Sequence, residues 1–182
     1  MKKYIFRKYH DSYREFFLIE KKSITKALGS KSVIEHVGST AIPGLGGKGI
    51  VDVLVGVPSE NIQRYIQKME NAGYEYREKA STPERLFFRR DYKSAKTIRR
   101  VHIHLTKTES KDWCEMIAFR DYLLSCPEEV KKYAEIKRKA VKQAKEEGGV
   151  YREFKQSFIE NITRKRLAIN SLKTKVQKIV KK

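Results

Sequence analysis

The stretch GIVDVLVGV at residues 49–57 limits the fold more than any other part of the sequence. Apolar residues with a period of two, rich in valine, read as a β-strand, and Pro58 ends it. Alternation sets Ile50, Asp52, Leu54 and Gly56 on one face and Val51, Val53, Val55 and Val57 on the other, which is the expected core face. Asp52 then looks out from the opposite side. An ionised carboxylate is tolerated there only where water, a cation or a metal meets it. An ion pair with Lys48 or a nearby arginine meets that need as well as a ligand site does.

The rest of the chain arranges itself around this strand. Residues 11–28 carry Phe16, Ile19 and Leu28 at helical spacing, with Gly29 where a C-terminal cap belongs. Val33–Val37 reads as a short strand, and 38–48 as a loop with Pro43 and several glycines. Ser59 suits the N-cap of a helix that runs through Ala72 and ends at Gly73. Three extended stretches follow, 74–78, 86–92 and 98–106. From Ser110 onward the pattern turns helical, with Pro127 at a first helical position and Gly148-Gly149 as a break, which predicts three C-terminal helices. The order implies an α+β fold: a mixed or late antiparallel sheet, helices packed on one face and a C-terminal helical segment.

The glycines of the 38–49 loop invite two nucleotide-binding readings, and both fail. Gly44, Gly46 and Gly49 match G-x-G-x-x-G as letters, but that motif follows a strand and opens a helix, whereas these glycines open a strand. The phosphate loop G-x-x-x-x-G-K-[ST] fails because Ile42 stands at its first glycine and Gly49 follows Lys48. What remains is Gly38-Ser39 at the end of one strand and an acid on the next.

That pattern resembles the nucleotidyltransferase superfamily. The blocks IEHVGSTAIPGLGGKGIVDVLVGV, RLFFRR, VHIHL, AFRDYLLSCPEEVKKYAEIKRKAV and YREFKQSFIENI resemble, in order and spacing, the GrpB family, a branch of that superfamily, over about residues 8–167. The resemblance implies a nucleotidyltransferase-like single domain over 1–167. It also implies a nucleoside triphosphate or another phosphorylated small molecule as ligand, with the nucleotidyl group passed to an unidentified small acceptor. Gly38 and Ser39 become phosphate binders; beside them Thr40, Lys48 and Arg89 are nucleotide-binding candidates from their own chemistry, Lys48 standing also as a partner of Asp52 or a loop lysine and Arg89 as a solvated edge residue. Asp52 becomes a ligand of Mg²⁺ or Mn²⁺ and a catalytic residue, to which the residues themselves add His104 as a second catalytic candidate. A link to coenzyme A metabolism is implied by the family alone.

The sequence departs from the superfamily where a second carboxylate is expected, two residues after Asp52: Leu54 stands there. On the VHIHL stretch, His102 and His104 share one face about 7 Å apart. With Asp52 they would make a two-histidine, one-carboxylate site, better suited to a transition metal than to Mg²⁺. Neutral histidines bonded to backbone, or a general base toward an acceptor hydroxyl, are the other readings. Loss of the second acid also allows a degenerate module that binds a nucleotide or RNA without turnover.

Charge bears on the partner. The 182 residues carry 41 Lys and Arg against 22 Asp and Glu, a net +19, with 17 basic and 5 acidic residues in 131–182 alone. Such an excess favours phosphorylated or polyanionic partners, RNA among them. Residues 168–182 form a basic extension in which Leu172, Val176, Ile179 and Val180 make one apolar stripe. That stripe could dock on the domain or pair two copies into a homodimer. No stretch of about 18 apolar residues occurs, so no transmembrane segment and a cytoplasmic location are expected.

Overall fold

A computed structural model describes residues 6–58, 61–93, 98–143 and 148–180; within the last segment, side chains are described at 153, 155–169 and 171. The valine-rich run forms β2 (Val51–Val57), between β1 (Val33–Val37) on one side and β5 (Ile98–Lys107) on the other. Beyond β5 lie β4 (Arg85–Lys93) and the short β3 (Glu75–Tyr76), giving the order β1-β2-β5-β4-β3. β2 and β5 are parallel and the other three pairings antiparallel, so the sheet is mixed, as expected. Gly49 does not join β2, because its φ of 73° places it in the left-handed region.

The valine face is the core face. Val51, Val53, Val55 and Val57 are fully buried against Phe17 and Ile24 of α1 (Ser12–Leu28) and Met69 of α2 (Ile66–Asn71). Helix α1 is pinned by a buried acid, Glu20, which accepts hydrogen bonds from the hydroxyls of Tyr74 (2.8 Å) and Tyr92 (2.5 Å). A buried carboxylate is tolerable when its oxygens are bonded in this way. The predicted 59–72 helix is shorter than its sequence pattern, a 3-10 turn over Ile62–Tyr65 leading into α2, and Ser59 lies outside the described residues.

The expectation of helices on one face needs correction. Helix α3 (Lys111–Ser125), with α4 (Pro127–Gln143) and α5 (Gly148–Val180), covers the opposite side. Leu54 and Gly56 require this cover: Leu54 is fully buried, and the ring of Trp113 from α3 lies so close to Gly56 that a Cβ there would strike it. The strand is apolar on both faces except at Asp52, so one layer of helices cannot bury it. Ser110 caps α3 by accepting from the Trp113 N–H at 3.2 Å. Residues 168–180 continue α5 without a break, while the side chains of its apolar stripe lie outside the described residues.

His36 joins the layers. On β1 it shares the face of Val53, its ring stacks on Phe17 with centroids 4.6 Å apart, and its Nε2 lies 3.0 Å from the Thr40 hydroxyl. Because that hydroxyl donates to the Ile50 carbonyl, Nε2 must be the donor and carry the ring's proton. Burial, reinforced by Arg120 and opposed by Asp52, lowers the His36 pKa to about 4. The unfolded chain therefore takes up a proton near pH 6.5 that the folded chain refuses until about 4. Stability present above pH 6.5 is lost as the pH falls through that window, by roughly 3 kcal/mol. Urea unfolding between pH 7 and 4 should show this loss, and His36→Gln should flatten it.

Candidate active site

Chain direction brings the site together at the start of β2. Asp52 is opposite Val37 in the β1 pairing and level with His102 in the β5 pairing. Its neighbour across β1 leads directly into Gly38 and the 3-10 turn Ser39–Ala41. Gly38 has a φ of 69°, and a Cβ there would overlap the Asp52 carboxylate, so glycine serves both the turn and the close approach. Arg120 of α3 holds the strand end before the turn, donating from Nη1 to Glu35 Oε2 (2.6 Å) and to the His36 carbonyl (3.2 Å).

Asp52 Oδ1 lies 3.4 Å from His102 Nδ1 and 3.9 Å from His104 Nε2. Burial pushes the Asp52 carboxyl up, but the two imidazoles outweigh it and hold the group below the usual carboxylate range. His102 thus turns Nδ1 to the acid, leaving Nε2 without a hydrogen-bond partner among the described residues. His104 is more enclosed, and its Nδ1 is buried with no partner. A proton on that atom would be stranded, so the ring keeps its proton on Nε2, toward Asp52. Phe87 makes edge-to-face contacts with both rings.

These groups open into one cavity of about 360 Å³, lined by Gly38, Ser39, Lys48, Asp52, His102 and His104 from the sheet side. Met116, Phe119, Tyr133, Lys137, Lys155 and Ile159 line it from the three C-terminal helices. Of the predicted site residues, Gly38, Ser39, Lys48, Asp52, His102 and His104 therefore converge. Thr40 does not: it is buried, its hydroxyl engaged by His36 and the Ile50 carbonyl. Arg89 stays outside as well, paired with Glu75 at 2.9 Å. Arg90, on the other face, donates to the Ala72 carbonyl at the end of α2. A larger, mostly apolar cavity of about 570 Å³ lies against Ile42, Pro43 and the start of α4 and holds none of the converging residues.

Sequence reading missed two parts. In the sequence Lys137 and Lys155 are only two of the 17 basic residues of 131–182, yet Lys137 is only 2% exposed and its Nζ donates to the Gly46 carbonyl. Its one legible signal is position: it lies on the i+3 and i+4 side of Ala134 and Tyr133, within the buried stripe of α4. The second is the pairing of Arg7 with Gly47, in which the Arg7 N–H donates at 2.6 Å and the Gly47 N–H returns a bond at 2.9 Å. Gly47 also makes room for Ser39, whose Oγ would lie 2.6 Å from a Cβ there.

The donor set does not fit a resident metal. Among the described residues no group of three or more His, Cys, Asp or Glu is arranged to hold one. Coordination through His104 Nε2 would move its proton to the enclosed Nδ1, where a metal-bound histidine normally finds an acceptor. Three lysines line the same cavity as the single carboxylate, a balance that favours an anion over a cation.

A family model described as GrpB protein matches residues 5–165. The chain belongs to the GrpB family. It is 31% identical to a UPF0157 protein of Halalkalibacterium halodurans, covering 86% of this chain and 79% of that one. A UPF0157 protein of Pseudomonas aeruginosa is 30% identical over 86% of this chain, which spans 65% of the relative's length. The crystal structure of GrpB from Enterococcus faecalis superposes with a TM-score of 0.78 at 26% identity, over 91% of this chain and 99% of that one. None of these names states an activity. Among the described residues no helix is long and apolar enough to cross a membrane.

Gly38→Ala tests the turn. Positive φ and overlap with Asp52 should together cost on the order of 2 kcal/mol or more, read as a lower urea midpoint with unchanged slope.

Proposed function

We propose that the cavity of this GrpB-family chain binds a nucleoside triphosphate and passes its nucleotidyl group to an acceptor hydroxyl. The supporting observation is the convergence on one cavity of Ser39, three lysines and an imidazole oriented by a carboxylate. Ser39 and the lysines suit the phosphates, to which ammonium groups bind as point charges. The apolar walls from α3, α4 and α5 suit the nucleoside. His102, held through Nδ1 by Asp52, presents Nε2 as general base. The acceptor oxygen forms a bond to the α-phosphorus while the bond to the bridging oxygen breaks. Pyrophosphate leaves, and the acceptor proton passes to His102 Nε2. Asp52 acts here by orienting and stabilising the imidazole; a divalent ion, implied by the superfamily resemblance, is assigned no step.

A second reading, binding without turnover, is favoured by Leu54 in place of the second acid. The two separate in one experiment with ATP labelled at the α-phosphate, Mg²⁺ and a cell extract. Transfer by the wild type, reduced about 100-fold or more in Asp52→Ala and His102→Ala, is the expected result. Retained ATP binding with no label moved selects the binding module, and transfer unchanged in Asp52→Ala overturns the enzyme reading.

A further inference from the structure

Lys137 takes no part in the proton transfer of that step, yet it is the most deeply enclosed amine of the cavity. Its side chain leaves α4 at 2% exposure, Nζ donates to the Gly46 carbonyl, and it stands 4.8 Å from the centre of the Tyr133 ring. No carboxylate pairs with it among the described residues. The groups that face it are Lys155 from α5, Arg138 from its own helix, Lys48 from the glycine-rich loop, Asp52 from β2, and His102 and His104 from β5. A buried ammonium without a counter-ion and beside other cations gives up its proton. Burial first, then Lys155, against the pull of Asp52, lowers the Lys137 amine to about 7.

An ammonium has three N–H donors. The Gly46 carbonyl takes one and the Tyr133 face accommodates the charge, so a donor remains for the cavity that Ser39 also lines. We propose that Lys137 is the phosphate sensor of the site, an amine neutral in the empty cavity at alkaline pH that takes up a proton as a phosphate group enters and becomes its counter-ion. This rests on the reading of the cavity as a phosphate site. It adds that the ligand must be a phosphate carrying enough charge to hold that proton, and that binding weakens with rising pH. The sign follows from linkage: the bound state holds more protons, so high pH favours release.

Calorimetric titration of the full chain with ATP, in two buffers of different protonation enthalpy, reads the uptake directly. Expected are uptake approaching about one proton at pH 8.5, little at pH 6, and an affinity that falls by up to about tenfold per pH unit between pH 7.5 and 9. Lys137→Arg, charged throughout, should bind without this dependence. Lys137→Met, close in shape should the larger arginine disturb the fold, should bind at least about tenfold more weakly and without uptake. ATP binding at pH 8.5 with the same heat in both buffers, or uptake that persists in Lys137→Met, overturns the sensor and leaves the phosphate site standing. Absence of ATP binding at every pH overturns both.

Discussion

The contact between the Asp52 carboxylate and the Gly38 backbone is the constraint on which the rest of the site depends. It requires a residue without a Cβ, in a left-handed conformation, at the end of β1, and it places the Ser39 turn beside the acid. With the other oxygen near two imidazoles, the carboxylate stays ionised although burial opposes its charge. The valines on the reverse of the strand make the arrangement rigid, because a slip of one residue in register would send Asp52 into the core and a valine into the cavity.

Around that fixed acid, the molecule builds an anion site from elements far apart in sequence. The glycine-rich loop works through room as much as through conformation: Gly47 admits the Ser39 side chain, Gly46 lets Phe6 and Arg7 lie across the loop, and the Gly46 carbonyl receives Lys137. The loop is thereby held between the N-terminal segment and α4. The helices that close the cavity bring its apolar wall and two of its lysines, so the site exists only once α3, α4 and α5 have packed on the Asp52 side of the sheet.

Much of this was legible beforehand, and the reasons differ by element. Period-two alternation located β2 and its lone acid, and the two histidines on one face of β5 followed from the same rule. Helix α1 and its glycine cap were readable from local signals, but its face was not: the buried stripe runs through Tyr13, Phe17, Glu20 and Ile24, and Ile19 is exposed. Thr40 and Arg89 were misplaced for a matching reason. Adjacency to Ser39 says nothing about which way a 3-10 turn points a hydroxyl, and alternation gives an arginine's face without naming its partner.

The sequence by itself determined the strand with one acid, the glycine-serine turn, the paired histidines and the excess of positive charge, because each is read from the residues alone or from neighbours a few positions away. Tertiary structure alone decided that helices cover both faces, that Arg7 pairs with Gly47, and that Lys137 is buried beside the turn rather than solvated. A lysine in a basic helix looks the same in the sequence whether it meets water or a carbonyl ninety-one residues away. Burial depends on what packs against a residue, and that partner is chosen by the fold as a whole.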